Sequence, residues 1–237
     1  MQQKIDAVIL AAGLGSRINK LYKDIPKGFI QINGESLIER SLKLLNRSNI
    51  NNIYIITGYK KEYYEMLSTK HKNIITIYNS NYSETGSFGS FLKLTGHIKN
   101  SFILLESDLL YEEKILEKLI CDKRENIIAT SDHTYSGDEI YVKAINSLLI
   151  NMSKNKSLIG SKSTEFIGIS KISFNLFKDL VSKNSNKTLK EYEELLVISS
   201  KTNNIYVKKL EEITWCEIDT LSHLKRAKEI IYPLLKK

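Results

Sequence analysis

The sequence predicts an α/β fold of the Rossmann-like, three-layer α/β/α type, with helices on both faces of a mostly parallel, mixed sheet. Short apolar runs with polar flanks, such as "AVIL" at 7–10 and "SFILLESD" at 101–108, are typical of buried parallel strands. Segments with apolar residues at helical spacing alternate with these runs, as successive βαβ units require. A glycine-rich segment, "AAGLGSR" at 11–17, follows the first apolar run.

The alternation is regular as far as Asp132. Strands are predicted at 7–10, 52–58, 73–79, 101–108 and 126–130, and helices at 36–46, 60–70, 87–98 and 113–123. Ser36 and Glu39 have the spacing of a capping box, which marks the start of the first helix.

The second half of the chain is less regular. The segment "EIYVKAINSLLINMSK" at 139–154 predicts a hairpin or two antiparallel strands, and the polar stretch 153–165 predicts a mobile loop. Later elements are predicted as strands at 166–173 and 204–212, a short acidic segment at 215–219, and helices at 173–182, 188–200 and 220–235. Because the sequence has no internal repeat and no proline-rich linker, we expect one domain over residues 1–237.

Composition excludes several classes of function. The 35 Lys and Arg against 27 Asp and Glu give a formal net charge of +8, but the basic residues are scattered, which disfavours nucleic-acid binding. Cys121 and Cys216 are the only cysteines, so neither a disulfide framework nor a zinc site is predicted. No apolar run approaches the ~20 residues that span a bilayer. We therefore expect a cytoplasmic protein, and the sequence leaves open whether it forms a homodimer.

The glycine-rich segment indicates an anion-binding loop. Ile18 stands where a third dinucleotide-binding glycine would be, and no Gly-Lys-Ser/Thr follows, so both common phosphate fingerprints fail. What remains is Gly13, Gly15, Ser16 and Arg17, whose backbone N–H groups and guanidinium suit a phosphate. Lys27, directly after Pro26, adds a second cation. The alternative is a tight strand-to-helix turn with surface cations.

Three carboxylates are candidate metal ligands. Asp108 follows a predicted strand, at the sheet edge where ligands bind in open α/β folds. Glu217 and Asp219 are two residues apart, so an extended segment points both the same way. Carboxylate oxygens together with substrate phosphates are the ligands that Mg²⁺ prefers. The alternative for Asp219 is an N-cap of the helix that begins near Thr220.

These motifs resemble a known superfamily. "LAAGLGSR" followed by "PKGF", together with "SLIERSLKLL", "NIYIITGY", "LLESDLLYE" and "CEIDTLSHLKRAKEII", resembles the nucleotidyltransferases of the sugar-phosphate type, which join a nucleoside triphosphate to a phosphorylated small molecule. The layout is most similar to phosphocholine and 2-aminoethylphosphonate cytidylyltransferases, and "ESDLLYE" and "SGDEIYV" favour the second. The resemblance implies a Mg²⁺-dependent transfer of CMP from CTP to 2-aminoethylphosphonate, with release of pyrophosphate.

The resemblance also implies a role for each matching position. Base and ribose would contact the first part of the glycine segment, namely Leu10, Ala11, Ala12 and Gly13. The triphosphate would be held by Gly15, Ser16, Arg17 and Lys27, of which Arg17 and Lys27 would be catalytic. The pyrimidine would be read by Thr85, Gly86 and Ser87, and the metal would be bound by Asp108, Glu217 and Asp219. Glu106 stands where many relatives have the first Asp of an Asp-x-Asp pair, so Glu106 is not among the predicted metal ligands.

The second substrate is predicted from the segment "SDHTYSGDEIY". A primary ammonium group has three N–H donors and suits carboxylates, whereas a quaternary ammonium is held by aromatic faces. Asp138, Glu139 and Tyr141 therefore predict an amine site, to which Trp215, the only tryptophan, adds an aromatic face. A phosphocholine cytidylyltransferase, a sugar-1-phosphate nucleotidyltransferase and a catalytically silent nucleotide-binding regulator remain as alternatives.

Overall fold

The computed structural model describes residues 5–18, 22, 24–182 and 191–235. Its strands, numbered in chain order, are β1 (Asp6–Ala11), β2 (Gln31–Ile32), β3 (Glu35–Ser36), β4 (Ile53–Thr57), β5 (Ile74–Tyr78), β6 (Phe102–Glu106), β7 (Leu109–Tyr111), β8 (Ile127–Ser131), β9 (Tyr141–Ile145), β10 (Leu148–Ser153), β11 (Thr164–Ile172), β12 (Tyr206–Lys209) and β13 (Trp215–Glu217). Its helices are α1 (Leu37–Arg47), α2 (Lys61–Lys70), α3 (Tyr82–Leu92), α4 (Glu113–Ile120), α5 (Phe174–Ser182), α6 (Tyr192–Ser199), α7 (Leu221–Arg226) and α8 (Tyr232–Leu234). A π-helical segment, Ala227–Ile231, joins α7 to α8.

A nine-stranded mixed sheet forms the centre of the described chain, in the order β5-β4-β1-β6-β11-β8-β12-β10-β9. Strands β5, β4, β1 and β6 are parallel, and β11 is antiparallel to both β6 and β8. The predicted hairpin at 139–154 is present as the antiparallel pair β9–β10. Beside the main sheet, β13 pairs with β7 and β2 pairs with β3.

The central strands, such as β1 and β4, are buried on both faces, which explains their uninterrupted apolar runs. In β1, Ala7 and Ile9 pack on one face with residues of α1 and α4, while Val8 and Leu10 pack on the other with residues of α3, α5 and α6. Helices therefore cover both faces of a mixed sheet, and the predicted α/β/α fold class is confirmed.

The capping box at the start of α1 is also present. The Ser36 side chain accepts a hydrogen bond from the Glu39 backbone N–H at 3.3 Å, and the Glu39 carboxylate accepts one from the Ser36 N–H at 3.1 Å. These bonds satisfy N–H groups that have no partner within the helix.

Several boundaries differ from those predicted. Helix α3 begins at Tyr82 rather than at 87, is interrupted at Gly86, where φ is 56° and ψ is −164°, and ends at Leu92 rather than at 98. The short β2–β3 hairpin was not predicted, although its Asn33-Gly34 turn is a common hairpin signal. In the stretch 153–165, a 3₁₀ turn spans Lys156–Leu158. The predicted helix at 188–200 begins at Tyr192 within the described residues, and 188–190 lie outside them.

A search of the described residues for a membrane-spanning helix found none of sufficient length and hydropathy.

Candidate active site

A cavity of about 680 Å³ opens where β1 and β6 end. Its wall includes the first part of the glycine segment and the ends of both strands, which is the sheet edge where ligands bind in open α/β folds. The predicted site residues on the wall are Leu10, Ala11, Ala12, Gly13, Gly15, Arg17, Lys27, Gly86, Ser87, Asp108, Glu217 and Asp219. The structure thus brings together residues that are up to 209 positions apart in sequence (from Leu10 to Asp219).

Lys27 is more deeply buried than Arg17, the other predicted cation of the cavity. Its ammonium group donates to Asp108 Oδ2 at 2.8 Å and also to Asp219. Burial alone would lower the pKa of Lys27, but the carboxylates of Asp108 and Asp219 outweigh it and raise that pKa well above its ordinary value. Lys27 is therefore a permanent positive charge at the end of β6.

Arg17 lies at the mouth of the same cavity and bridges two segments. Its Nη2 donates to Asp219 at 2.7 Å, and its Nη1 pairs with Asp138. Gly15, two residues earlier, has a φ of 62°, a conformation that glycine adopts without strain. The guanidinium therefore reaches Asp219 from the loop after β1, as Lys27 does from its own turn.

The position of Lys27 depends on tight packing behind it. Lys27 starts a 3₁₀ turn after Pro26, and the next residue, Gly28, is buried. A Cβ at Gly28 would lie 2.8 Å from the Tyr64 hydroxyl oxygen and 3.4 Å from the Ser107 Cβ. The Tyr64 hydroxyl is hydrogen-bonded to the Ser107 side chain and to the Gly28 backbone. Because Gly28 has no side chain, the turn can pack closely against Tyr64 and against Ser107, the residue that follows β6.

The acidic residues of the cavity form a second cluster. Carboxylate oxygens of Glu106, Asp108 and Glu217 lie within 4.8 Å of one another. Burial, together with the neighbouring carboxylates, raises the pKa of both Glu106 and Glu217 well above the ordinary value. Asp219 differs: burial works to raise its pKa, but Lys27 dominates among the groups that bring it down to about 2.

This donor set fits a hard divalent cation. Asp108 Oδ1 is buried and has no hydrogen-bond partner, and such an unpaired carboxylate oxygen is costly unless a cation binds it. Glu106 belongs to the cluster although it replaces the expected Asp, and the structure pairs Asp219 with the two cations. The predicted ligand set of Asp108, Glu217 and Asp219 therefore differs from the observed cluster by one residue.

The four residues predicted to bind the amine do not line this cavity, but Asp138 and Trp215 line a smaller pocket that shares Glu106 and Glu217 with it. Asp138 is held by Arg17, and Glu139 accepts the Gly137 N–H at 3.1 Å. The Tyr141 hydroxyl lies 3.3 Å from the Glu139 carboxylate. Trp215 is buried where β13 pairs with β7 and donates its indole N–H to Ser131 at 2.9 Å. The structure thus places these four residues off the wall of the main cavity, and their role in binding the amine stays a prediction.

Two residues predicted to contact the nucleotide also lie off the wall, Ser16 and Thr85. The Thr85 hydroxyl donates to the Asn81 carbonyl at 2.9 Å and accepts from the Asn79 side chain at 3.1 Å, so it stabilises the start of α3.

Sequence reasoning missed the acidic residues of α6. Glu191, the residue before α6, and Glu193 and Glu194, in its first turn, line the cavity. The Ser87 hydroxyl donates to Glu191 at 2.6 Å and accepts from the Tyr192 N–H at 3.0 Å, which joins α6 to α3. The run "EYEE" was the available signal, but acidic residues in a first helical turn are ordinary partners of the helix dipole.

Substituting Gly28→Ala is expected to lower the free energy of unfolding by about 1–3 kcal/mol, because the new methyl group overpacks against Tyr64 and Ser107. Tyr64→Phe removes the obstructing hydroxyl. It should therefore lower the free energy of unfolding by less in the Gly28→Ala background than in the wild type. Urea unfolding of the two single variants and the double variant measures this coupling. If the change in unfolding free energy of the double variant equals the sum of the two single changes to within about 0.5 kcal/mol, the contact is contradicted.

Comparisons with known proteins agree with this architecture. A family model described as the MobA-like NTP transferase domain matches residues 7–151. The chain is 35% identical to a choline-phosphate cytidylyltransferase of Haemophilus influenzae over 130 residues, which cover 54% of this chain and 55% of that protein. It is 28% identical to a 2-aminoethylphosphonate cytidylyltransferase of Lancefieldella rimae over 113 residues, or 47% and 46% of the two chains. The match thus spans about half the length of these relatives.

A solved structure, that of the CTP:phosphocholine cytidylyltransferase of Streptococcus pneumoniae, shares the fold over nearly the whole chain. Its TM-score is 0.82 at 22% identity, over 96% of this chain and 99% of that one. Because the family model covers more than half of the sequence and the fold agrees, the chain belongs to the family of MobA-like NTP transferase domains.

Proposed function

We propose that this protein is a Mg²⁺-dependent cytidylyltransferase that transfers CMP from CTP to 2-aminoethylphosphonate and releases pyrophosphate. The observation that carries the proposal is the pairing of two cations, Arg17 and Lys27, with buried carboxylates at the mouth of a cavity formed by a glycine-rich loop. Fixed cations beside a phosphate-binding loop are what nucleotidyl transfer requires. Both named relatives are cytidylyltransferases, which supports the choice of CTP.

In the proposed reaction, a phosphonate oxygen attacks the α-phosphorus of CTP in line. A P–O bond forms to this oxygen as the bond to the pyrophosphate leaving group breaks. No side-chain nucleophile is needed, because negative charge only moves from the attacking oxygen to the leaving group. Lys27 and Arg17 stabilise that charge electrostatically, and the loop backbone orients the triphosphate.

The carboxylate cluster would hold the metal ion. Asp108, with its unpartnered Oδ1, and Glu217 offer oxygens at the end of β6 and of β13, and Glu106 adds a third. Bound there, Mg²⁺ would neutralise phosphate charge and help to align the two substrates. Asp219 keeps Lys27 and Arg17 directed at the same place.

The charge of the cavity favours a second substrate with a cationic end. Glu106, Glu191, Glu193 and Glu194 line it, and Lys154 is the one basic residue on the wall besides Arg17 and Lys27 among the described residues. Tyr64 and Tyr82 are the aromatic residues on the described wall, which is a poor match to an aromatic cage. This supports a primary over a quaternary ammonium. Phosphocholine remains the second candidate, because the Haemophilus influenzae relative is named for it.

The deciding experiment measures pyrophosphate release at saturating CTP and Mg²⁺ with 2-aminoethylphosphonate or phosphocholine. We expect a higher kcat/KM for 2-aminoethylphosphonate. Preference for phosphocholine would overturn the choice of acceptor and leave the cytidylyltransferase intact. Activity with neither compound, or with a sugar 1-phosphate alone, would contradict the proposal.

Lys27→Met, which removes the charge and keeps the side-chain length, is expected to lower kcat/KM by about 10²-fold, because one preorganised contact to the transition state supplies that much. Lys72→Met, at an exposed position away from the cavity, is the matched control. Circular dichroism would verify that both variants are folded. An Lys27→Met enzyme within threefold of wild type would exclude Lys27 from the mechanism.

Magnesium is expected to raise the thermal midpoint of the wild type, since binding to the native state alone stabilises it. Asp108→Asn should abolish this rise without nucleotide, because an amide oxygen carries no charge and binds a hard cation less well. Asp132→Asn, on a residue that is paired with Lys209 outside the cavity, should keep it. Equal Mg²⁺-dependent shifts in all three proteins would remove Asp108 from the metal site.

A further inference from the structure

One carboxylate of the acidic cavity wall has an oxygen with no partner assigned so far. Glu193 lies in the first turn of α6 and is 8% exposed, although it lines the cavity. Its Oε2 atom is buried and has no hydrogen-bond partner. An unpaired buried carboxylate oxygen costs free energy, and a bound ligand that donates a hydrogen bond to it would remove this cost.

The wall around Glu193 is acidic, because Glu191 and Glu194 line the same cavity. Burial raises the pKa of Glu193 to about 7, and Glu191 and Glu194 act in the same direction, while Lys154 opposes them. Lys154 lies on the same wall, yet it does not hydrogen-bond to Glu193 Oε2. A ligand cation that carries N–H donors would satisfy the free oxygen and reduce the repulsion among the three glutamates.

Glu193 is also linked to the phosphate end of the cavity. Glu106, at the end of β6, interacts electrostatically with Glu193 on one side and with Asp108 and Lys27 on the other. The Tyr192 hydroxyl, from the residue before Glu193, lies 3.3 Å from the Glu106 carboxylate and so joins α6 to β6. Lys27 and Glu193 therefore line the same cavity and both interact electrostatically with Glu106, so the cavity presents a cation and a carboxylate to a zwitterionic ligand.

We propose that Glu193 is the specificity-determining residue for the second substrate and binds the primary ammonium group of a small aminophosphonate or aminophosphate. This inference rests on the proposed function for the identity of the acceptor. It replaces the segment 132–141 by the start of α6 as the amine-recognition element. Because the free oxygen of Glu193 needs an N–H donor, a quaternary ammonium would satisfy it less well.

Calorimetry tests this inference separately from turnover. 2-Aminoethylphosphonate is titrated into protein loaded with Mg²⁺ and α,β-methylene-CTP, which cannot release pyrophosphate. Glu193→Gln, which keeps the shape and removes the charge, is expected to weaken binding about tenfold or more, since hydrogen bonds to charged groups are the stronger ones. Glu117→Gln, on an exposed position of α4 outside the cavity, should bind as the wild type does.

Ethylphosphonate, which lacks the amine, distinguishes recognition from a structural effect. Ethylphosphonate should bind the wild type and Glu193→Gln with the same affinity. If the substitution distorted the cavity, the affinity for ethylphosphonate and the affinity for 2-aminoethylphosphonate would fall alike. In turnover, the variant should raise KM for 2-aminoethylphosphonate and leave KM for CTP within about twofold.

Unchanged binding of 2-aminoethylphosphonate to Glu193→Gln, equal loss for both ligands, or no binding to the wild type would overturn the inference. Pyrophosphate release judges the proposed function independently. If the wild type turns over 2-aminoethylphosphonate but Glu193→Gln binds it equally well, only this inference is overturned. If Glu193→Gln weakens binding but the wild type releases no pyrophosphate, only the proposed function is overturned.

Discussion

The contact between Lys27 and two carboxylates is the interaction on which the rest of the site depends. Asp108 follows β6, Asp219 follows β13, and Lys27 starts a turn near the glycine loop, so one ammonium group joins three distant parts of the chain. Without it, the acidic cluster at the end of β6 would be buried with little compensation, which is strongly unfavourable. Arg17 extends the network through Asp219 to Asp138.

The same network accounts for how the site can accept a highly charged substrate. A triphosphate can replace carboxylates as the partner of Lys27 and Arg17, because both are donors of charge-assisted hydrogen bonds. In the proposed reaction, Asp108, which pairs with Lys27 in the free protein, becomes available to a metal ion that accompanies the nucleotide, while Asp219 keeps the two cations in place. Cations and carboxylates thus neutralise each other in the free protein and act on different partners in the proposed complex.

Features set by local sequence could be predicted well. The capping box at Ser36, the buried strands and the loop after β1 depend on neighbouring residues, and the structure has all of them. The surroundings of Trp215 and Glu193 depend on distant parts of the chain and could not be predicted in this way. Trp215 was expected to offer an aromatic face to the amine, whereas the pairing of β13 with β7 buries it beside Ser131. Glu193 has the sequence position of an ordinary first-turn glutamate, and only the folded structure shows that its Oε2 is buried without a partner.

The central claim is that this cavity joins CMP to a phosphonate through a new P–O–P bond. Phosphorus NMR of a mixture of protein, CTP, Mg²⁺ and 2-aminoethylphosphonate tests it most directly, because it observes the bond itself. The account predicts coupled phosphonate and phosphate resonances of a mixed anhydride, which appear together with an equal amount of pyrophosphate. Pyrophosphate that appears with free CMP and unchanged phosphonate would show hydrolysis of CTP and would contradict the claim.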